Sequence, residues 1–259
     1  VGGAIVAWDD YRSGTNGDVY AQKVGAWGVM QWDPGGIAVC NVSGDQISPQ
    51  LASDGMGGAI ITWEDSRSGT DCQVYAQRVG AWGIMQWDVG GIAICNITGT
   101  SSPTSPEIIS DGAGGAIIAW HDLRSGTSYD IRAQRLASSG AVLWPANGVA
   151  ICSAAYDQFS PQLVFDGSGG AIVTWTDYRS GISGTDIYAQ RVHSSGSLSA
   201  PMMLWSADPA QNTAVCTDSS LQWLPQVASD GLGGAIIAWH DLRSGLDIYA
   251  RKVSSTGAM

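Results

Sequence analysis

The fold is decided by the stretch GGAIIAWHDLRSG at residues 233–245, which is followed at residues 247–250 by DIYA. The same pattern occurs five times in the 259 residues, and successive copies lie 55, 57, 55 and 64 residues apart. A nearly constant period is typical of a repeat architecture, in which each copy buries its apolar face against the next. Each copy is anchored on a tryptophan: Trp8, Trp63, Trp120, Trp175 and Trp239.

Each copy carries the signals of four short strands. In the second copy, strand A is predicted at 49–53, strand B at 59–63, strand C at 73–79 and strand D within 84–95. Strand B is apolar on both faces, which indicates a strand that is buried on both sides. Four-stranded units repeated around an axis are the blades of a β-propeller. We therefore predict an all-β, five-bladed β-propeller of four-stranded antiparallel blades. A linear solenoid is the competing architecture.

The first and last copies are shorter than the others. The pattern supplies five B and five C strands, but only four A and four D strands, so the first and last blades are predicted to be incomplete. We expect a single domain over residues 1–259, cut from a longer protein. Open strand edges template the addition of further strands. The expected partners are therefore other domains of a parent protein or another copy of the chain.

Composition excludes several classes of function. The net charge of −11 argues against a nucleic-acid partner, because binding to phosphates needs clustered Lys and Arg. No run of about 18 apolar residues occurs, so membrane insertion is not expected. Cys72 lies in a predicted turn and is expected to be an exposed thiol. The other cysteines share one repeat position and are predicted to be small buried hydrophobes: Cys40, Cys95, Cys152 and Cys216.

An Asp-x-Arg pair follows every anchor tryptophan. In an extended segment, residues two apart point to one side, and the guanidinium fork can bind a carboxylate and turn carbonyls together. We predict that each arginine locks the turn between strands B and C or bridges to the next blade, with an anion or sugar-acid site as the alternative. The pairs are Asp10/Arg12, Asp65/Arg67, Asp122/Arg124, Asp177/Arg179 and Asp241/Arg243.

The sequence shows no metal site and no catalytic centre. Zinc-binding spacings of His or Cys and the Gly-x-Ser-x-Gly elbow are absent. A glycosidase needs two carboxylates across a cleft, and nearly every acid here belongs to the repeat, while outliers such as Glu107 and Asp157 form no pattern. No cofactor is predicted. Calcium is the alternative to an Asx-turn at the Asp-Gly turns, which begin at Asp54, Asp111, Asp166 and Asp230.

Ligand-binding residues are expected where the chain departs from its repeat. Trp27, Trp82 and Trp223 lie in loop-like contexts, where aromatic rings stack on sugars or anchor protein interfaces. An eight-residue insertion between strands C and D of the fourth copy contains Met202 and Met203. We predict these five residues as ligand-binding, with ordinary packing as the alternative for the tryptophans.

The repeat resembles one that is common in secreted and surface bacterial proteins. The resemblance rests on SDGLGGAIIAWHDLRSG at residues 229–245 and on VLWPANGVAIC at residues 142–152. It implies a β-propeller, an extracellular or cell-surface location and a multidomain parent. We therefore predict a non-catalytic binding or structural module that self-associates and is not an enzyme. The alternatives are a multivalent carbohydrate-binding lectin, with glycans as partners, and a polysaccharide-acting glycoside hydrolase.

Overall fold

The computed structural model describes residues 2–69, 71–97, 103–181, 184–198 and 205–259, and all of its regular elements in these ranges are β-strands. In chain order the strands are β1 (Gly3–Asp10), β2 (Asp18–Gly25), β3 (Ile37–Cys40), β4 (Gln46–Ser53), β5 (Ala59–Asp65), β6 (Gln73–Val79), β7 (Ile92–Cys95), β8 (Thr104–Ser110), β9 (Ala116–Asp122), β10 (Asp130–Leu136), β11 (Val149–Cys152), β12 (Gln158–Phe165), β13 (Ala171–Asp177), β14 (Asp186–Val192), β15 (Thr213–Cys216), β16 (Gln222–Ser229), β17 (Ala235–Asp241) and β18 (Asp247–Val253). Across the described ranges there is no helix of the length and apolarity needed to span a membrane.

The strands form five antiparallel sheets, which we call blades 1 to 5. Blade 1 is β1-β2-β3, blades 2, 3 and 4 are β4–β7, β8–β11 and β12–β15, and blade 5 is β16-β17-β18. Strand A of each complete blade packs against strand A of the next. In the described chain, blade 1 has no strand A and blade 5 has no strand D. The predicted five-bladed β-propeller with incomplete end blades is confirmed.

The apolar core lies between the blades. Successive side chains of a strand point to opposite faces of the sheet, so Ile60 packs into blade 3 and Ile61 packs into blade 1. Both side chains are fully buried, as is the anchor Trp63. Full burial of each such side chain stabilises the fold by about 1.5–3 kcal/mol. Burial of both faces explains why strand B is apolar along its whole length.

The glycine before strand D packs against the anchor tryptophan in blades 1 to 3, and Asn212 takes its place in blade 4. Gly91 has φ of 82°, and a Cβ atom added there would lie 2.6 Å from the ring of Trp63. The left-handed backbone disfavours other residues, and the ring leaves no room for a side chain. The repeated Gly therefore brings the bend before strand D directly against the blade core.

The Asp-x-Arg pair both locks its turn and joins two blades. The fully buried carboxylate of Asp65 accepts hydrogen bonds from Trp63 Nε1 at 2.7 Å and from Arg67 Nε and Nη2 at 2.8 and 2.6 Å. Nη2 of Arg67 also donates to the carbonyl of Gly90 at 2.7 Å and contacts Cys40 Sγ of blade 1 at 3.3 Å. The same arginine–cysteine contact joins blades 2 and 3, 3 and 4, and 4 and 5.

The lock at Arg124 of blade 3 has fewer contacts than that at Arg67. Arg124 Nε donates to Asp122 Oδ1 at 2.9 Å, and its Nη2 contacts Cys95 Sγ of blade 2 at 3.3 Å. In both blades the arginine reaches the preceding blade, whereas the sequence predicted a bridge to the next one. The guanidinium of Arg67 also lies 3.8 Å from the ring centroid of Tyr75, whereas blade 3 has Arg132 at that strand C position.

A second guanidinium lies beside Asp122 in blade 3. Arg132 Nε lies 3.6 Å from Asp122 Oδ1, so two arginines share one fully buried carboxylate. Burial, and then the positive charge of Arg124, lower the pKa of Arg132. The blade 3 lock thus has a second cation where that of blade 2 has a tyrosine ring.

The four repeat-position cysteines are buried free thiols, as predicted: Cys40, Cys95, Cys152 and Cys216. Burial raises the pKa of the Cys152 thiol to about 12 and that of Cys95 to about 11. Both therefore remain protonated near neutral pH, which suits their place as small packed side chains beside an arginine.

Replacing Asp65 with alanine is expected to lower the free energy of unfolding by about 3–5 kcal/mol, because it leaves a mostly buried guanidinium and an indole N–H without their partner. The matched control is Asp10→Ala at the same motif position in blade 1, where Arg12 is 46% exposed. Solvent screens the Asp10–Arg12 pair, so the decrease in the free energy of unfolding should be clearly smaller for Asp10→Ala. Urea denaturation of both variants measures the difference. Equal losses would contradict the bridging role of the Asp65 pair.

Candidate functional site

One position of the repeat varies in chemistry while its neighbours stay constant. The residue between the anchor tryptophan and the motif aspartate differs from blade to blade, and we call it the variable position. It lies near the end of strand B, on the side of the propeller where strands A begin, which we call the upper face. The constant neighbours form the lock between blades, so this position is free to carry function. Its residues are Asp9, Glu64, His121, Thr176 and His240.

A β-bulge at the start of strand A holds the variable side chains in place. The bulge shifts the register between Ile47 and Gln50 and turns a backbone N–H toward the preceding blade. The N–H of Ser48 donates to Asp9 Oδ1 at 2.9 Å, and that of Ser105 donates to Glu64 Oε1 at 2.8 Å. The bulge residues have left-handed backbones, which are uncommon without glycine: Ser48 (φ 55°), Ser105 (52°), Ser160 (53°) and Leu224 (50°).

Asp9 and Glu64 form a pair of carboxyl groups on adjacent blades. Burial raises the pKa of Glu64 above the usual range of a glutamate, and the hydrogen bond from Ser105 lowers it in part. The negative charge of Asp9 raises the pKa of Glu64 further. Glu64 therefore holds its proton to a higher pH than an ordinary glutamate. A carboxyl group that keeps its proton beside a second carboxylate is the arrangement from which acid and base roles are made.

The expectation of an exposed thiol at Cys72 is wrong. The side chain is partly buried, and its Sγ lies 3.9 Å from Oε2 of Glu64. Burial and the negative charge of Glu64 raise the pKa of Cys72 to about 12. The residue is therefore a protonated neighbour of the acid pair rather than a reactive surface thiol.

Aromatic side chains of blades 3 and 4 form a cluster on the upper face around His121. The ring centroids of Tyr129 and Phe159 lie 5.3 and 5.2 Å from that of His121, and Tyr178 lies 5.9 Å from Phe159. The His121 Nε2 lies 2.9 Å from Thr104 Oγ1, while its buried Nδ1 has no hydrogen-bond partner in the described part of the chain. Burial lowers the pKa of His121 to about 4, so the imidazole is neutral near pH 7.

The predicted ligand-binding residues lie in different places. Trp223 is on the upper face, half-buried and stacked on His240 with the ring centroids 5.6 Å apart. Trp27 and Trp82 are 94% and 87% exposed, in the turns that follow strands C of blades 1 and 2 at the opposite, lower face. Met202 and Met203 lie outside the described residues. Of the predicted ligand-binding residues that the structure describes, Trp223 alone lies on the face that carries the acid pair.

The Asp-Gly turns use their carboxylates within the fold. Asp54 Oδ1 accepts the N–H groups of Met56 and Gly58, both at 2.8 Å, and Oδ2 pairs with Arg78 at 3.0 Å. This is the geometry of an Asx-turn combined with an ion pair. Among the described residues, no group of three or more His, Cys, Asp or Glu side chains could hold a metal ion. The expectation of no cofactor, with calcium as the alternative, stays a prediction.

Sequence reasoning missed the acid pair because it treated Asp9 and Glu64 as ordinary members of the repeat. The available signal was variation: this position changes from carboxylate to imidazole to hydroxyl, while the tryptophan and aspartate on either side remain fixed.

The chain matches no protein-family model and no curated protein sequence. Among solved structures, it is similar to an α-L-arabinanase of Penicillium chrysogenum complexed with arabinobiose, with a TM-score of 0.55 and 13% identity over 82% of this chain and 64% of that one. It is also similar to the GH93 α-L-arabinofuranosidase of Fusarium graminearum in complex with arabinobiose, with a TM-score of 0.54 and 12% identity over 81% and 62%. A protein of unknown function from Dyadobacter fermentans gives a TM-score of 0.52 and 8% identity over 90% and 62%. The chain spans less than two thirds of the length of these three proteins.

These comparisons correct one prediction about function. The interpretation as a non-catalytic module, and with it the expectation that the chain is not an enzyme, is contradicted, because two of the three similar structures are glycoside-cleaving enzymes. The mistaken step was to read a repeated chemistry as scaffold alone. At 12–13% identity the likeness shows the fold, and the reaction of this chain is a proposal.

The imidazole of His121 is expected to titrate with a pKa of about 4 in an NMR pH series. Burial is the main cause, and the charges of Asp122 and Asp157 act against it. Asp157→Asn should therefore lower the value further, and loss of the signal in His121→Gln assigns it. Because the folded pKa lies below the usual histidine value of 6.5, this group's stabilising contribution is lost as pH falls from about 6.5 to about 4. A pKa near 6.5 would contradict the buried placement.

Proposed function

We propose that this protein is a glycoside hydrolase that acts on a polysaccharide, with its active site on the upper face. The observation that carries the proposal is the pair Asp9 and Glu64, brought from adjacent blades to one face with the pKa of Glu64 raised. Glycoside hydrolases work with such pairs, one protonated and one ionised. Arabinose-containing polysaccharides are the first substrates to test, because two of the similar structures are an arabinanase and an arabinofuranosidase.

Glu64 is suited to act as the general acid. Its Oε1 accepts the N–H of Ser105, and its Oε2, which lies 3.9 Å from the Cys72 thiol, carries the proton in this proposal. In the proposed step, Glu64 gives this proton to the glycosidic oxygen as the bond from that oxygen to the anomeric carbon breaks. A water molecule supplies hydroxide to the anomeric carbon, and Asp9 takes the proton of that water. Proton exchange with solvent then restores both groups.

The aromatic cluster supplies the binding surface in this proposal. Tyr129, Phe159 and Tyr178 offer apolar ring faces and edges on the same upper face as the acid pair, and sugar rings stack on such surfaces. The neutral His121 can form hydrogen bonds to hydroxyl groups without adding a charge. Trp223 extends the same face to blade 5. The substrate chain would run from the acid pair on blades 1 and 2 toward blade 5.

An extracellular or cell-surface location is part of the proposal. Polysaccharides too large to enter a cell are cleaved outside it, and the repeat resembles that of secreted and surface bacterial proteins. Detection of the native protein in the medium or on the cell surface by antibody would test this location directly.

Glu64→Gln and Asp9→Asn are each expected to lower kcat/KM on arabinan by about 10²–10⁴-fold, the usual contribution of a general acid or base. The wild-type rate should fall as pH rises through the raised pKa of Glu64, because the acid then loses its proton. That alkaline fall should be absent from the residual activity of Glu64→Gln. Reducing-sugar release across a pH series measures both effects.

Asp88→Asn is the matched control for these two variants. Asp88 is an exposed acid just before strand D of the blade that carries Glu64, and its replacement should leave the rate unchanged. Wild-type protein that hydrolyses neither arabinan nor any member of a polysaccharide panel would refute the proposal. So would a Glu64→Gln variant with full activity and an unchanged melting temperature.

We propose carbohydrate binding at the lower face as a second function of the same protein. Trp27 and Trp82 occupy equivalent turns of blades 1 and 2, and nearly all of each side chain is exposed. The equivalent positions of blades 3 and 4 are Ser139 and Ser195. Two large aromatic side chains confined to neighbouring turns suit a flat, repetitive ligand such as an insoluble polysaccharide.

Trp27→Ser combined with Trp82→Ser is expected to weaken retention on insoluble polysaccharide by about tenfold, which corresponds to roughly 1.4 kcal/mol of lost stacking. Serine is the residue that the chain itself uses at this turn, so the variant should fold normally. A pull-down series with increasing polysaccharide measures the change. Unchanged retention would show that the two tryptophans do not bind this polysaccharide.

A further inference from the structure

The four joints between successive blades share one set of polar contacts. A Lys or Arg of strand C reaches the first carbonyl of the strand C–D turn in the next blade, and the tryptophan that precedes strand D donates its Nε1–H to the same carbonyl. The carbonyl of Ser138, for example, accepts Arg78 Nη1 at 3.0 Å and Trp87 Nε1 at 3.1 Å. The other joints are Lys23 and Trp32 to Ala81, Arg135 and Trp144 to Ser194, and Arg191 and Trp205 to Ser255.

Blade 5 presents the donor half of a further joint. Lys252 stands where Arg78 and Arg135 stand in their blades; its side chain is 56% exposed and pairs only with Asp230 of its own blade among the described residues. The apolar side chains around it are exposed as well, with Ile236 at 46% and Ile248 at 65%. Their equivalents in blades 2, 3 and 4 are fully buried: Ile60, Ile117, Ile172, Val74, Ile131 and Ile187.

Blade 1 presents the acceptor half. The carbonyl of Ala26 corresponds to that of Ser138, and no donor reaches it within the described part of the chain. Val6 is 46% exposed, although its equivalent in blade 2, Ile61, is fully buried. Arg12 has no cysteine of a preceding blade to contact, whereas Arg67 contacts Cys40. The two end faces are thus the two halves of the joint that the molecule already makes four times.

We infer that the exposed end faces of blade 5 and blade 1 form a docking site for a further blade of this same repeat. The C–D turn carbonyl of that blade would accept a hydrogen bond from Lys252. Its strand C arginine and the tryptophan before its strand D would donate to the carbonyl of Ala26, and its strand D cysteine would meet Arg12. The argument for this occupant is continuity with the four internal joints, because the exposed residues are those that build each of them.

The exposed apolar side chains of the end faces also fit a further blade as the occupant. Ile236 and Ile248 lie on one sheet face of blade 5, at 46% and 65% exposed, and the adjoining turn residue Leu246 is 66% exposed. Exposed apolar side chains at positions that other blades bury mark an interaction surface. The flat pleated surface of a sheet is complementary to another blade with the same spacing of side chains. This inference does not depend on the proposed hydrolase activity.

The test uses the 259-residue chain and a single-repeat polypeptide of residues 103–152, which contains Arg135, the Ser138 carbonyl, Trp144 and Cys152. Titration calorimetry and sedimentation should show a one-to-one complex. Ile248→Asp and Lys252→Glu on blade 5, and Val6→Asp on blade 1, should each weaken binding at least tenfold. Val89→Asp is the control, because Val89 is fully exposed in a loop of blade 2, outside both end faces. Absence of a complex, or binding that the three end-face variants do not change, would overturn the inference.

If the single repeat does not fold in isolation, the inference can be tested by joining the same repeat to the chain through a peptide bond. The same 50-residue segment, preceded by residues 96–102 as its natural linker, is appended after Met259. The extended chain should melt at a higher temperature than the original, and Ile248→Asp should lower its melting temperature more than it lowers that of the original chain. Equal melting temperatures would overturn the inference. So would a dimer of the original chain that Ile248→Asp dissociates, because a second copy would then be the occupant.

Discussion

The rest of the structure depends on a buried carboxylate that accepts hydrogen bonds from a tryptophan and an arginine of its own motif. The motif aspartate, typified by Asp65, accepts the indole N–H of its own anchor tryptophan and two N–H groups of its own arginine. The arginine then reaches the bend before strand D and the cysteine of the preceding blade. Burying one of these groups alone would cost several kcal/mol, so the three residues can change only together. This constraint keeps the motif nearly constant along the chain.

A constant frame makes single positions available for chemistry. The lock occupies the tryptophan, the aspartate and the arginine, and leaves the residue between the tryptophan and the aspartate outside its contacts. Where that residue is Asp9, Glu64 or Thr176, the bulge of the next strand A donates a backbone N–H to it. The upper face is acidic on blades 1 and 2 and aromatic on blades 3 and 4. This asymmetry arises because residues outside the lock differ between blades that share one backbone arrangement.

The same frame explains why the end blades differ from the middle ones. Each blade is stabilised by the joint on either side, as in other repeat proteins whose units contact only their neighbours. Blades 1 and 5 each have one joint, and their outward faces leave exposed the same apolar positions that blades 2 to 4 bury. Asp10 and Asp65 differ for this reason. They occupy the same motif position, but the Asp10–Arg12 pair is more exposed to solvent than the Asp65–Arg67 pair.

The sequence by itself determined the number of blades, the strands of each blade, the incomplete ends and the burial of the repeat-position cysteines. These features follow from the period of the tryptophans and from apolar patterns within each repeat, which can be read from neighbouring residues of the chain. The acid pair, the setting of Cys72, the partial lock at Arg124 and the aromatic cluster were decided by the tertiary structure. Ser105 and Glu64 are 41 residues apart, and Ser48 and Asp9 are 39 apart. Their meeting, and the burial that raises the pKa of Glu64, arise only when one blade packs on the next, because burial and charge proximity are properties of the assembled joint and not of either strand.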